Sequence, residues 1–575
     1  MAKVIRVDMS AKKVSTSEPG ELEKKGGRAF TSTVVAKEVP PDCHPLSADN
    51  RLVISSGLLS GTNAANSGRL SIGGKSPLTG GIKESNVGGT ASYRLARLDV
   101  RGIVVEGRGD GLHYLLINKD GAELLPADDL KGLGNYDTAE RLKEKHGNKV
   151  AVVSIGQAGE LKLSAASIAV TDTNGRPARH AGRGGMGAVM GSKGLKAIVI
   201  DDKDAGGVEY ADKDAFKESA GNFRDTLKGH PVTKPDGGGL ATFGTNTLVS
   251  VINASGAFPT RNFKTGQFEG AANISGEKMH DTIKDRGGDT THSACTTCII
   301  QCSNVYVDDK GEYVTSGLEY ETVWANGANC GIDDLDAIAR IDRLCDDTGL
   351  DTIEIGCAVA VAMDGGLIEF GDTKGAYKLV EEVKNGTALG RIIGSGAAVT
   401  GQAFGVDRVP VVKKQSMPAY DPRAVKGVGV TYATTPMGAD HTAGYGVTAN
   451  ILSVGGTVDP HKNAGNIELS QGLQVATAAI DAAGLCLFVA FAVLDNEDGL
   501  PTVTKMLNAR YGLSLTPDDI RELGKSILRN EKAFNKKAGF TDIDDQLPEM
   551  FTDPVPPHNV SWDFTTEELQ KTLHF

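Results

Sequence analysis

No apolar run in this 575-residue chain approaches the ~20 residues that cross a bilayer, so a helical membrane span is not expected. Nor is there an excess of basic charge. Lys and Arg number 61 against 73 Asp and Glu, a net charge of -12, which argues against nucleic acid as the main partner. The N-terminus lacks the apolar stretch of a signal peptide: Met1-Ala2-Lys3-Val4-Ile5-Arg6-Val7-Asp8 carries an acid there and reads as the first strand of the mature protein. Cysteine is scarce, with 8 in the chain, too few for a disulfide framework at this length. Their clustering suits a reducing compartment, and the cytoplasm is expected. The length exceeds what one hydrophobic core organises, so several domains are expected.

What is present is concentrated. Cys295-Thr296-Thr297-Cys298-Ile299-Ile300-Gln301-Cys302 packs three thiols into one short stretch, and a fourth thiol returns far away in Asp481-Ala482-Ala483-Gly484-Leu485-Cys486. The spacing C-x2-C-x3-C lacks the further Cys and the Pro of a bacterial ferredoxin run, and also the second C-x2-C pair of a zinc ribbon. It predicts a metal or iron–sulfur site held between two folded regions, and hence a protein that moves electrons.

Glycine is the other excess, at 73 residues against a usual share of ~7%. It gathers in Ser71-Ile72-Gly73-Gly74-Lys75-Ser76-Pro77-Leu78-Thr79-Gly80-Gly81 and in Ala181-Gly182-Arg183-Gly184-Gly185-Met186-Gly187, where interleaved Arg and Lys favour an anion-binding surface over plain flexible loops. Gly182 to Gly187 matches G-x-G-x-x-G formally. The preceding Gly175-Arg176-Pro177-Ala178-Arg179-His180 reads as a basic turn and the following helix as broken at Gly191 and Gly194, so a dinucleotide site is not expected.

Short apolar runs punctuated by Gly, Asn and Asp predict strands at Arg51–Ile54, Gly102–Glu106, His113–Ile117, Val150–Val153 and Lys196–Ile200, with Gln157–Glu160 as a turn. Beyond Asp201 the period becomes helical. Leu335, Ile338, Ile341, Leu344 and Cys345 form one stripe, and Thr516-Pro517-Asp518-Asp519 is a capping box ahead of Ile520, Leu523, Ile527 and Leu528. The charged break at Asp201-Asp202-Lys203-Asp204 and a second near Phe404 to Pro410 divide the chain into 1–204, 205–406 and 407–575. No internal repeat is seen except one: Asp346-Asp347-Thr348-Gly349-Leu350 and Asp481-Ala482-Ala483-Gly484-Leu485 share D-x-x-G-L. Each is expected at a helix end capped by a left-handed Gly, and a pair suggests two equivalent ligand halves related by an approximate two-fold axis.

Together these residues resemble the tungsten-containing aldehyde ferredoxin oxidoreductase family nearly end to end. Matching stretches are Gly26-Gly27-Arg28, Gly68-Arg69, Lys75-Ser76-Pro77-Leu78-Thr79-Gly80, Ala181-Gly182-Arg183 through Lys193, the three-Cys cluster, Glu319-Tyr320-Glu321-Thr322 and both D-x-x-G-L elements. The resemblance implies an α+β fold: a β-rich, two-sheet N-terminal domain cradling the cofactor over 1–204, then two mainly helical domains. It implies tungsten, or molybdenum, held by two pyranopterin (molybdopterin) dithiolenes whose phosphates share a magnesium ion. Lys75, Arg69, Arg179, Gly182 and Arg183 would line the pterin site, and the main-chain carbonyls of Asn86 and His180 would bind magnesium. Asp346 with Gly349 and Leu350, and Asp481 with Gly484 and Leu485, would grip the pterins. Cys295, Cys298, Cys302 and Cys486 would hold a 4Fe–4S cluster.

The same resemblance implies Glu321 and His441 as catalytic residues beside the metal, His441 polarising a carbonyl and Glu321 taking a proton from water. Glu319 is a second candidate, since strand alternation would turn it to the same face as Glu321. A thiolate ligand from Cys330 competes with an ordinary buried thiol; Cys43, Cys345 and Cys357 read as structural. The implied activity is oxidation of an aldehyde to a carboxylic acid, with electrons passing to ferredoxin or an iron–sulfur subunit in a homo- or hetero-oligomer. The alternatives are a reductase subunit of the class II benzoyl-CoA reductase type, another tungsten branch, and a cluster-only electron carrier.

Overall fold

The computed structural model describes residues 2–575. Its N-terminal part runs through one pattern of elements twice. The first pass comprises β1 (Lys3–Asp8), β2 (Lys13–Ser17), α1 (Gly27–Glu38), β3 (Leu52–Ser56), β4 (Leu70–Lys75), β5 (Ile82–Val87), α2 (Ala91–Arg97) and β6 (Val100–Glu106). The second comprises β7 (His113–Asn118), β8 (Gly121–Pro126), α3 (Asn135–His146), β9 (Ala151–Ser154), α4 (Gln157–Glu160), β10 (Ile168–Val170), β11 (Arg179–Ala181), α5 (Met186–Ser192) and β12 (Leu195–Ile200). The strand orders are β2-β1-β6-β3-β4-β5 and, read in the same sense, β8-β7-β12-β9-β10-β11. In each sheet a single parallel pair, β1 with β6 and β7 with β12, sits among antiparallel ones. The registers correspond as well: Ser71 faces Asn86 in one sheet and Ala169 faces His180 in the other. This is an internal duplication, and it corrects the expectation that D-x-x-G-L was the one repeat.

Side-chain alternation makes the two sheets into four layers. Ile103 and Val105 of β6 join Leu115, Val153 and Ile198 of the second sheet in one shared core. Val104, on the opposite face, packs under Phe30 and Val34 of α1, while Val152 and Val199 pack under Leu142 of α3. A branched side chain fully buried this way contributes about 1.5–3 kcal/mol, so a one-residue register slip would be heavily penalised.

Past Ile200 the chain is mainly helical, with one three-stranded sheet, β13 (Asp289–His292), β14 (Ser303–Val307) and β15 (Tyr313–Ser316). The expected stripe forms the helix Leu335–Thr348, whose N-cap Asp334 accepts from the Asp336 and Ala337 N–H groups. The Thr516–Asp519 capping box starts the helix Pro517–Lys537. Both D-x-x-G-L elements end helices, Leu335–Thr348 and Asn466–Ala483, with Gly349 and Gly484 each at φ 78°. Each cap meets a glycine at the end of a sheet strand. A Cβ on Gly57 would fall 2.1 Å from the Gly484 Cα, and one on Gly156 would fall 2.3 Å from the Thr348 carbonyl. The duplicated sheets thus dock the two helix ends at equivalent positions. Among the described residues no helix is long and apolar enough to cross a membrane.

Three local expectations change. Gln157–Glu160 is one helical turn rather than a β-type turn. Arg179–Ala181 is a short strand, and α5 follows it through Gly191 without a break until Gly194 at φ 77°. Strand, turn and helix are therefore all present around Gly182. However, β11 is an antiparallel edge strand, unlike the parallel strand of a dinucleotide-binding unit.

Candidate active site

A cavity of about 370 Å³ lies where the edge strands β5 and β11 meet the two glycine-capped helix ends. Arg69, Asn86, Arg179, His180, Gly182, Arg183, Cys295, Cys298, Cys302, Glu321, Asp346, Leu350, His441, Asp481 and Cys486 all line it. Asn86 and His180 hold equivalent positions on the two sheets, so their main-chain groups approach the cavity from related directions.

The three-Cys loop runs between β13 and β14, bent through left-handed Thr297 (φ 64°) and Gln301 (φ 56°). Cys486 enters one residue past the second D-x-x-G-L element, its N–H donating to the Asn66 carbonyl at 2.9 Å. Asn66 also ties the loop, donating from Nδ2 to Cys298 Sγ at 3.5 Å, and Arg69 donates to Cys486 Sγ at 3.4 Å. Burial pushes the Cys298 thiol up to about 12, and Cys302 rises for the same reason. Thiols held this way ionise when they coordinate a cation. Among the described residues no three metal-binding side chains converge on a single-ion point. Four thiols spread over one wall suit a polynuclear cluster, which carries its irons at separate corners.

Buried polar groups are normally satisfied. Here Glu84 Oε1, Asn86 Nδ2, Ser303 Oγ, Glu321 Oε1, Asp346 Oδ2 and His441 Nδ1 are buried without a hydrogen-bond partner, and all belong to residues lining this cavity. Donors and acceptors left open around one space fit a large polar ligand, and the volume lies within the range of ligand sites. Asp346 keeps one oxygen 3.0 Å from His180 Nε2. Asp481 accepts from Arg28 at 3.3 Å, and Arg28 is itself clamped by both Glu531 oxygens at 2.9 and 2.8 Å. At the equivalent place in the other half Asn135, which opens α3, donates to the Asp346 carbonyl at 2.8 Å. Burial pushes both Glu84 and Asp481 up, and the charge of Asp481 adds to the rise at Glu84.

The arginines divide in use. Arg69 faces the cysteines and keeps donors for a ligand, whereas Arg179 is tied to Glu319 at 3.0 Å and to the Ser316 carbonyl. Arg183 is spent on the protein, donating to the carbonyls of Ala439 (2.7 Å) and Ser416 (2.6 Å), and so anchors the chain that carries His441.

Glu319 and Glu321 do not lie on a strand. Glu319 is the N-cap, and Glu321 sits in the first turn, of the helix Tyr320–Asn326, so the two carboxylates diverge. Glu319 binds Arg179 and the Thr245 hydroxyl (2.7 Å); Glu321 accepts the Ala419 N–H at 3.0 Å and lies 3.3 Å from His441 Nε2. That last contact is close without hydrogen-bond alignment, since Glu321 Oε1 stays unpartnered. Burial pushes Glu321 up to about 8 and His441 down to about 4. His441 begins a turn capped by Asp440, which accepts the Thr442 N–H and a 2.9 Å bond from buried Lys83. The Tyr420 and Tyr445 rings flank His441, with their hydroxyls 2.7 Å apart.

Some expected residues stand elsewhere. Lys75 Nζ donates to the Pro41 and Cys43 carbonyls, outside the cavity lining. Gly349 and Gly484 act through the helix ends they cap, and Leu485 is core. Cys330 is buried, its thiol directed at the Ala325 carbonyl (3.3 Å) rather than at the cavity. Arg28, Lys83, Glu84 and Asp440 were not expected as site residues. The double glycine before Arg28 was the one signal in the sequence, because backbone so free of Cβ marks a close approach.

The N-terminal domain model of aldehyde ferredoxin oxidoreductase matches residues 4–202, and the model of its domains 2 and 3 matches residues 218–573. The chain belongs to the aldehyde ferredoxin oxidoreductase family. A tungsten-containing aldehyde ferredoxin oxidoreductase of Pyrococcus horikoshii is 37% identical over 96% of this chain and 92% of its own length. One from Thermococcus kodakarensis is 36% identical over 96% and 91%. The WOR-like subunit of an aliphatic sulfonate oxidoreductase from Pyrococcus furiosus is 25% identical over 96% and 90%. Among solved structures, the BamBC active-site complex of benzoyl coenzyme A reductase superposes at a TM-score of 0.80, with 20% identity over 99% of this chain and 93% of that one. That last likeness is one of fold. The protein is an oxidoreductase.

Proposed function

We propose that this enzyme oxidises an aldehyde to the carboxylic acid at tungsten, or molybdenum, held by two pyranopterins, and passes the electrons to ferredoxin or an iron–sulfur partner subunit. The observation that carries this reading is the convergence on one cavity of four thiols, two helix-end aspartates and a desolvated Glu–His pair. Cys295, Cys298, Cys302 and Cys486 would hold a 4Fe–4S cluster; Asp346 and Asp481 would grip the pterins, Arg69 their phosphates, and the Asn86 and His180 carbonyls magnesium. When bound, the metal supplies a two-electron acceptor and the cluster a one-electron exit.

An aldehyde and water give the acid with two electrons and two protons released, so the protein must manage protons in a dry site. Glu321, pushed up to about 8, is poised to accept the proton of a water attacking the carbonyl carbon. His441, neutral above about pH 4, can donate one ring N–H to the carbonyl oxygen. Arg183 and Lys83 fix the backbone that presents it. All eight cysteines are free thiols, which suits a reducing compartment such as the cytoplasm. The test is anaerobic purification with metal analysis, followed by aldehyde-dependent reduction of a viologen dye. Tungsten and iron with dye reduction are expected; iron alone, or activity only with thioesters and a strong reductant, would refute the reading.

A further inference from the structure

A second cavity, of about 600 Å³, adjoins the first among the C-terminal helices. Leu469, Leu473, Ala476 and Ile480 recur at spacings of three and four along the helix Asn466–Ala483, so one face of it lines this space. The far wall is aliphatic too, with Val493, Leu500 and Val503. Of the charged residues in its lining, Glu468, Glu497 and Arg521 are exposed, and Lys525, one turn on from Arg521 in the helix Pro517–Lys537, is half-buried. Tyr445, Thr477 and Leu487 line both cavities, so the apolar space adjoins the one that holds the Glu321–His441 pair.

A soluble protein seldom leaves this much aliphatic surface lining an open space unless something fills it. The shared lining says what does: a group attached to the molecule being oxidised. We propose that this second cavity receives the apolar tail of the substrate, and that the substrate class is aldehydes bearing a long uncharged alkyl chain. The proposal deepens the aldehyde-oxidation reading and rests on it. Lys525 is the one charge of the lining that is not fully exposed, and the aliphatic faces of Leu469 to Ile480 and of Val493 to Val503 offer an ionic tail no partner, so sugar, phosphate and coenzyme A aldehydes are disfavoured against them.

The holoenzyme, purified anaerobically, is assayed with n-alkanals from acetaldehyde to decanal and a viologen acceptor. Each methylene that enters the cavity should raise kcat/KM about threefold to fourfold until the space is full. Ala476→Trp, which plugs the cavity from its helix, should lower the decanal-to-acetaldehyde ratio of kcat/KM at least about tenfold. Gly472→Trp is the second variant, since a Cβ at Gly472 meets only open space and the fold should tolerate it. Values of kcat/KM independent of chain length, or a wild-type ratio in both variants, would overturn the proposal. If no aldehyde is oxidised at all, the functional reading fails, and calorimetry with unreactive decanamide then judges the cavity by itself. Wild-type binding that both variants weaken supports the tail site; no binding, or equal binding by all three proteins, rejects it.

Discussion

Replacing Glu321 by Gln separates its chemistry from its architecture. The amide keeps the shape and can still accept the Ala419 N–H that Glu321 accepts at 3.0 Å, so the fold and the cofactor site should persist. What disappears is a proton acceptor, and general-base assistance is worth about 10²- to 10⁴-fold, or about 3–5 kcal/mol of barrier. The same substitution has a second signature independent of turnover. Burial raises this carboxyl from 4.5 to about 8, a difference worth about 5 kcal/mol at ~1.4 kcal/mol per pH unit. An acid raised on folding stabilises the native state while protonated: its contribution is complete below about pH 4.5 and lost as pH rises through about 8. Wild type should therefore lose stability across that window while Glu321→Gln does not, so the two denaturation curves diverge by several kcal/mol at alkaline pH. Viologen-coupled assays and denaturant titrations from pH 5 to 9 read both effects. Undiminished kcat in the variant removes Glu321 from the chemistry, and parallel stability profiles remove the desolvated carboxyl altogether.

Four further outcomes are expected. For wild type, kcat/KM should rise with pH and level off above about 8, with no histidine limb until about pH 4; a bell centred near 6.5 would contradict the assignment. Cys486→Ser should strip or convert the iron–sulfur cluster, seen as lost iron and altered electron paramagnetic resonance, whereas Cys330→Ser should leave metal–sulfur coordination in X-ray absorption unchanged. Gly57→Ala and Gly156→Ala should each cost about 3 kcal/mol or more, because the new methyl lands on backbone of the opposing helix end; wild-type melting temperatures would disprove the docking described. Lys83→Met should leave Asp440 buried without its cation and lower stability by about 3–5 kcal/mol, with a disordered His441 turn in proton spectra; an unchanged turn would show that the ion pair is dispensable.

Much of the site was legible because its chemistry is carried by rare residues at fixed spacings. The cysteine run, both D-x-x-G-L ends and the capping box at Thr516 each encode a local geometry in a few positions, and periodicity finds strands before Asp201 and helices after it, but not α1 and α3 among the former or β13 to β15 among the latter. The duplicated sheets were not legible. The two passes share topology and register but not side chains, with Asn86 in one where His180 stands in the other, and pattern reading compares side chains. Alternation in a two-residue window puts Glu319 and Glu321 on a strand; the N-cap that separates them depends on Thr245, 75 residues away from Tyr320, whose hydroxyl accepts the Tyr320 N–H and donates to the Glu319 carboxylate. Lys75 lies in a glycine-rich stretch that reads as a ligand surface, yet its ammonium is consumed by carbonyls of the chain before β3.

The twin sheets present matched halves, but their decoration is unequal. After the second aspartate the chain continues Gly484-Leu485-Cys486, while after the first it continues Gly349-Leu350-Asp351, and Asp351 caps a helix instead of facing the thiols. On the function proposed here, a scaffold that could have served two outlets would be wired on one side: charge would leave past Asp481, and the Asp346 half would be the insulated end of the circuit.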